Sequence, residues 1–375
     1  GSLREEAEAP QPASSRARAR VRVKNRVPNR ENRFKQIILS FRRAGAPVFS
    51  GQGRRAFAPL LYHLLATICA EGGQICYNGP TTGPGGEKGW EKMDAKLQDL
   101  FEYLNEGVSP FHAVAGTARR LEEAGFEKLE EGRLWALQPG GRYYLTRNGS
   151  SLIAFWLPAQ APASWRMSAA HSDSPTFRVK KTQGRSLAGW QRLAVESYGG
   201  LALPSWLDRP LGLAGRVLVR TPRGLEPRLV RSEGAVCVIP SLCVHFDEAH
   251  GKGRALAPAS ELQPVWAAEG APTPADWLAG QLGVEKEEIL DADLTLFPLQ
   301  PATLLGESGL FLSPRIDDLE SAWACLRGFL AGAPGAYTGR LFCLFDNEEV
   351  GSSTRQGAES AFLAQVLERI GEALG

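Results

Sequence analysis

The sequence has no run of 18 or more apolar residues, so an ordinary membrane-spanning helix is not expected. Its longest apolar stretch, AFAPLLYHLLATICA at residues 56–70, is too short and carries Pro59 and His63. It also lies inside the chain, so it does not read as a signal peptide. CxxC pairs are missing: the six cysteines stand at 69, 76, 237, 243, 325 and 343. That scatter is the usage expected of reduced thiols in a cytoplasmic protein. Net charge is nearly absent, +2 over 375 residues, so the overall balance selects no partner. Acids are sparse from Ala9 to Gly86, and residues 16–35 hold nine basic residues against the single Glu31. A solvated arm is the reading expected there, with a transit-peptide-like leader and nucleic-acid binding as alternatives; nucleic acid is not the expected partner. No internal repeat is present.

What the chain does have is a globular balance, with 43% hydrophobic residues and length enough for one large or two ordinary domains. Residues 1–92 are assigned no fold; they end in a glycine-rich linker, NGPTTGPGGEKG. From about residue 93 the pattern becomes orderly. Leu97, Leu100, Phe101 and Leu104 fall at helical spacing. Ser109-Pro110 reads as a helix cap with a first-turn proline, followed by the stripe Phe111, Val114, Ala118, Leu121 and a stop at Gly125. RYYLTR and SLIAFWL flank Asn148-Gly149, a hairpin signal, and the formal glycosylation sequon Asn148-Gly149-Ser150 is taken as that turn. A strand at 165–170 runs into His171.

Residues 176–300 are rich in strands and turns, with GRVLVRT and LEPRLVRS around Pro222-Arg223-Gly224 and a further strand expected at AVCVIP, 235–240. After Leu310 come a short strand, a loop, a helix with Leu319, Ala322, Leu326 and Phe329 on one face, the strand LFCLF, and a last helix with Leu363, Val366, Leu367, Ile370 and Leu374. That order predicts an α/β fold, a mixed sheet flanked by helices. Residues 93–175 and 301–375 would form its two parts, with 176–300 inserted as a β-rich domain.

Three segments put acids or histidine at the ends of apolar strands: AAHSDSP (His171, Asp173), SPRIDDL (Asp317, Asp318) and FDNEEVGS (Asp346, Glu348, Glu349). Ligands of open α/β sheets gather at strand carboxyl ends. One imidazole among several carboxylates is a ligand set for zinc or a similar divalent ion. His171 and Asp173, two apart, can face one side of an extended chain, and a carboxylate there can take the spare imidazole N–H. Glu348 and Glu349, as neighbours in extended chain, would point apart, one to the metal and one to its water. Taken singly, each segment has a plainer reading: a packed histidine, a helix-capping Asp pair, a solvated Glu pair.

HSDSPTFRVK, YGG followed by WLDRPLGLAGRV, RIDDL and DNEEVGSSTRQGAES, with SPFHAV and the GGRYYLTRNGSSLIAF hairpin, together resemble the M18 metallo-aminopeptidases, the aspartyl aminopeptidase family. The resemblance implies a zinc-exopeptidase-like fold whose insertion at 176–300 is a dimerisation domain, and a homo-oligomer. It implies removal of the N-terminal residue, Asp or Glu above all, from peptide substrates by two zinc ions per subunit. By motif, His171 would bind one zinc, Asp173 would support it, Asp317 would bridge both, Glu349 would bind the other, and Glu348 would be the general base. His245, in IPSLCVH, would assist at the active site, across a subunit interface. Two departures accompany the likeness. Asp318 stands where the family usually has Asn, and the Asp and His ligands expected well after the DNEE motif do not follow Glu349. The resemblance therefore implies a C-terminally truncated member with an unrelated N-terminal extension, and leaves open an inactive fragment or assembly subunit as the alternative.

Overall fold

The computed structural model describes residues 95–247 and 255–375, all within the unit Pro80–Gly375. The basic stretch at 16–35, the apolar stretch at 56–70, the glycine-rich linker and the extension 1–92 lie outside the described residues. Helix α1 (Ala95–Glu106) turns Leu100, Phe101 and Leu104 inward. Helix α2 (Pro110–Glu123) begins where the Ser109 hydroxyl accepts the His112 N–H and Pro110 has no donor to leave unpaired. It ends at Ala124, and Gly125 follows at φ +80°. Strand β1 (Glu127–Lys128) leads to the hairpin of β2 (Arg142–Arg147) and β3 (Ser151–Trp156). The chain reverses there because Asn148 (φ 56°) and Gly149 (φ 68°) both take left-handed backbone, which those two residue types tolerate best. Strand β4 (Ser164–His171) then delivers His171.

The sheet of the second region is all antiparallel. Its strands are β5 (Thr176–Leu187), β6 (Trp190–Tyr198), β7 (Leu211–Thr221), β8 (Gly224–Arg231), β9 (Val265–Ala268) and, after helix α3 (Pro274–Leu282), β10 (Ile289–Pro298). They form one six-stranded sheet in the order β8-β7-β10-β5-β6-β9. One face packs Phe177, Leu193, Leu213, Val217, Leu294 and Leu296 against Trp206, Ile239, Leu262 and Leu278. The expected strand at 235–240 is not one: Cys237, Val238 and Ile239 make single bridges to three separate partners, Leu211, Val265 and Leu207. Its apolar alternation is real, since Cys237 and Ile239 are buried. The segment crosses several elements instead of running along one, so no ladder forms.

The chain then returns through the short pair β11 (Thr303–Leu304) and β12 (Phe311–Leu312), helix α4 (Ile316–Ala331), strand β13 (Thr338–Phe345) and helix α5 (Phe362–Leu374). The first sheet has the order β1-β2-β3-β13-β4, so the last strand in sequence sits near its middle. Strand β13 runs antiparallel to β3 and parallel to β4. Phe342 and Leu344 face a cluster with Leu104 and Leu121 of the first two helices and Leu326 and Phe329 of α4. Leu341, Cys343 and Phe345 face Phe362, Val366 and Ile370 of α5. Burial on both faces is why LFCLF is apolar throughout rather than alternating. The parallel register sets Phe345 beside His171, so β4 and β13 end together. No helix among the described residues is long and apolar enough to cross a membrane.

Candidate metal centre

His171 is the last residue of β4. Asp317 and Asp318 stand at the start of α4, where both depart from helical φ/ψ after Arg315 at φ 63°. Glu348 and Glu349 follow β13 on a one-turn 3-10 helix, Glu348–Val350, entered through Asn347 at φ 62°. The glutamates are thus on a tight turn, not in the extended chain their spacing had suggested. Three chain ends converge on the imidazole. His171 Nε2 lies 3.4 Å from Asp317 Oδ1, 3.6 Å from Glu348 Oε2 and 3.9 Å from Asp318 Oδ2. Two triples, His171–Asp317–Asp318 and His171–Glu348–Glu349, each gather their ligand atoms within 4.8 Å of one another.

Asp173 holds the arrangement from behind. It is fully buried. Its Oδ2 accepts the Tyr198 hydroxyl at 2.6 Å and the Glu349 N–H at 3.2 Å, while Oδ1 accepts the Glu348 N–H at 3.2 Å. His171 Nδ1 lies 3.3 Å from Oδ1, but its hydrogen bond goes to the Asp173 backbone carbonyl at 2.9 Å. The supporting acceptor is therefore the main chain first and the carboxylate second. A carbonyl only accepts, so Nδ1 carries the proton and Nε2 is the nitrogen left to bind a metal.

The charges explain the titration. Burial opposes the charge on His171, yet Asp173, Asp318 and Glu348 outweigh it and lift the imidazole to about 9. Burial likewise opposes the Asp173 charge, but hydrogen bonds from His171, Tyr198 and the Glu349 N–H hold its carboxyl below the usual range. Burial pushes Glu349 up to about 6, with Asp317, Asp173 and Glu348 adding to it and His171 opposing. Burial also raises Asp318. Among the described residues, the only ion-pair partner of Asp173, Asp317, Asp318 and Glu348 is His171. So many carboxylates around one imidazole leave an excess of negative charge that a divalent cation would balance, and the donor set fits zinc.

Five of the six expected site residues, His171, Asp173, Asp317, Glu348 and Glu349, are brought together. His245 is not. It is exposed on the short turn Val244–Phe246 and, among the described residues, makes no hydrogen bond or ion pair with the cluster. Four participants fall outside the six expected site residues. Asp318, read as a helix cap, accepts the His171 backbone N–H at 3.1 Å. Asn347 donates to the Tyr198 hydroxyl at 2.9 Å and accepts from Thr354 at 2.7 Å. Tyr198 was visible only as part of the YGG motif. Asp346 accepts the Asn347 N–H at 2.7 Å at the turn's entry, and burial raises it to about 6. A cavity of about 360 Å³ borders Asp317, lined by Trp206, Phe297, Pro298 and Leu312, with Arg209 and Ser205 among its polar residues.

Comparison with known proteins places the chain among relatives of one family. Residues 103–375 match the family model described as aminopeptidase I zinc metalloprotease (M18). The chain is 41% identical over 287 residues to the Probable M18 family aminopeptidase 2 of Pseudomonas putida (strain GB-1), covering 74% of this chain and 66% of the relative. It is 40% identical to that of Pseudomonas aeruginosa (strain LESB58), covering 74% and 67%. It therefore spans about two thirds of the length of the curated relatives it matches. Among solved structures, Chaetomium thermophilum mApe1 is 31% identical with a TM-score of 0.67, covering 74% of this chain and 67% of that one. The mApe1 dodecamer of S. cerevisiae is 28% identical with a TM-score of 0.63, covering 74% and 66%. An M18 aminopeptidase from Thermotoga maritima, 22% identical with a TM-score of 0.62 over 74% of this chain and 64% of that one, shares the fold.

Proposed function

The chain belongs to the M18 family of zinc metalloproteases, and from that premise we propose that it is an aminopeptidase that removes the N-terminal residue of peptides. The single observation that carries this reading is the convergence of two acidic groups on His171, Asp317 with Asp318 on one side and Glu348 with Glu349 on the other, with no cation besides the imidazole paired to Asp317 or Glu348 among the described residues. His171 and Asp317 would hold one zinc, and Asp317 and Glu349 a second. When bound, zinc acidifies a water molecule and polarises the scissile carbonyl.

The chain's own residues do the rest. Glu348, with half its side chain exposed, can reach into the open side of the cluster. It takes a proton from the attacking water as the oxygen bonds to the carbonyl carbon. It then gives that proton to the departing nitrogen as the C–N bond breaks. Asp173, through the Glu348 and Glu349 N–H groups, fixes the turn on which both acids stand.

Acidic N-terminal residues are the proposed substrates. In support, Asp317 is the only carboxylate lining the adjoining cavity among the described residues, and exposed Arg209 offers a cation there. Homo-oligomerisation through the inserted domain belongs to the same proposal. Leu242, Val244 and Phe246 around His245 are all exposed, a surface that a second copy would cover, bringing His245 to a neighbour's centre. The free thiols of Cys237, Cys243 and Cys343 suit a cytoplasmic setting.

The test is zinc content and hydrolysis of Asp- and Glu-initiated dipeptides by the purified protein. Glu348→Gln is expected to lower the rate by about 10³-fold with zinc retained. Absence of both tight zinc and activity sinks the proposal. A second reading, folding and assembly without catalysis, is favoured by one observation: both metal triples draw on the same His171. It predicts fewer than two zinc ions per chain and no hydrolysis.

A further inference from the structure

Strand β6 belongs to the second sheet, yet its last residue is bonded into the metal-ligand loops of the first. Tyr198 is 7% exposed and its hydroxyl spans two acidic loops. It donates to Asp173 Oδ2 at 2.6 Å and accepts from Asn347 Nδ2 at 2.9 Å. The direction of each bond is forced. Both Asp173 oxygens already accept backbone N–H groups, from Glu348 and Glu349, so the phenol proton points to the carboxylate. Asn347 Oδ1 is taken by the Thr354 hydroxyl at 2.7 Å, so the amide nitrogen faces Tyr198. The next residue takes part as well. Gly199 sits at φ +73°, and a Cβ there would lie 2.8 Å from Glu349 Oε2 and 2.9 Å from Glu349 Cβ. Only a residue without a side chain leaves room for that ligand.

We propose that Tyr198 is a positioning residue of the metal centre: it acts through Asp173 and Asn347 to set the Glu348–Glu349 turn, so that the inserted β-sheet tunes zinc affinity. The inference rests on the zinc-binding reading above. Its physical basis is that Asp173 is the common acceptor of the Glu348 and Glu349 N–H groups, and that Tyr198, from the other sheet, makes a shorter hydrogen bond to that carboxylate, 2.6 Å against 3.2 Å. Removing the hydroxyl leaves a buried donor on Asn347 unpaired and frees a lone pair of Asp173, with no change of shape. Outer partners of metal ligands typically shift affinity 10- to 100-fold.

The experiment measures zinc affinity by competition with a chelating dye for the unaltered protein, Tyr198→Phe, Asp173→Asn and the double variant, with thermal melting of the metal-free forms alongside. Tyr198→Phe is expected to weaken zinc about tenfold, and the double variant to bind no more weakly than Asp173→Asn alone. Gly199→Ala is expected to weaken zinc at least as much as Tyr198→Phe, since it crowds Glu349 directly. If Tyr198→Phe lowers the melting temperature and leaves zinc affinity unchanged, Tyr198 is structural only and the inference is overturned. Additive losses in the double variant overturn the route through Asp173. No zinc binding by the unaltered protein overturns the aminopeptidase reading and this one together.

Discussion

The two sheets of this protein are built to different standards of enclosure. In the first, β13 is covered on both faces: Phe342 and Leu344 meet α1, α2 and α4, while Leu341, Cys343 and Phe345 meet α5. In the second, one face packs its core and the other is covered only in part: Ala214 and Phe297 are buried against Val108, while Leu225 and Leu229 of β8 are 58% and 43% exposed. The centre hangs from the enclosed sheet, with His171 ending β4 and the glutamates following β13. The open sheet contributes at its margin, through Tyr198 and the cavity walls at Thr295 and Phe297. The glutamates thus follow a strand that packing fixes on both faces, whereas His171 ends the edge strand β4, where Met167 is exposed and Ala170 is buried. The sheet that lends only a hydroxyl and a wall can leave one face for other contacts.

The largest effect that would test this contrast is in the enclosed strand. Leu344 is fully buried between β3 and β4 and against the helices. Leu344→Ala is expected to destabilise by about 3–4 kcal/mol, because the cavity left there cannot collapse from either side. Urea unfolding followed by tryptophan fluorescence measures it. A loss under about 1.5 kcal/mol would mean that the strand relaxes easily and that enclosure is not what fixes the site.

That same strand shows why much of the fold could be read from residues alone. LFCLF is apolar at every position because both faces are covered, and Leu319, Ala322, Leu326 and Phe329 mark the buried face of α4 at helical spacing. The site acids were also visible, since charged residues at the end of a buried strand are costly unless used. What stayed hidden depends on distance along the chain. Tyr198 meets Asp173 across 25 residues and Asn347 across 149, and no local pattern encodes such a pairing. The 235–240 segment has a strand's alternation, but its three bridges go to three different places, which composition cannot reveal. The role expected of His245 came from family likeness alone, and among the described residues of one copy no hydrogen bond or ion pair joins it to the cluster.

A middle-sized effect lies where the two regions touch. His112 of α2 bonds Ser109 at 2.7 Å and faces Arg231 of β8. Burial first, and the Arg231 charge second, lower its imidazole from 6.5 to about 4. A depressed histidine is neutral in the folded state and takes up a proton more readily when unfolded. Its contribution is therefore complete above pH ~6.5 and is lost as pH falls toward ~4. Between pH 7.5 and 5 the unaltered protein is expected to lose about 2 kcal/mol more than His112→Gln, with unfolding measured in urea at each pH. Equal losses in the two proteins would place water in this seam and make it a looser joint than the burial of His112 indicates.

The smallest effect is expected on the open face. Leu229 lies outward on β8 opposite Arg216, while the next residue, Val230, turns into the core. Strand alternation puts the two on opposite faces, so their side chains answer to different surroundings. Leu229→Ser is expected to change stability by no more than about 0.5 kcal/mol in dilute protein, because it empties no packed space. Unfolding at two protein concentrations makes this a test of the contrast itself. A loss that grows with concentration would show that a second copy covers the face, since linkage to assembly makes stability depend on protomer concentration. The second sheet would then be enclosed as fully as the first, with one difference: its second cover would be supplied by another molecule and could be removed by dilution.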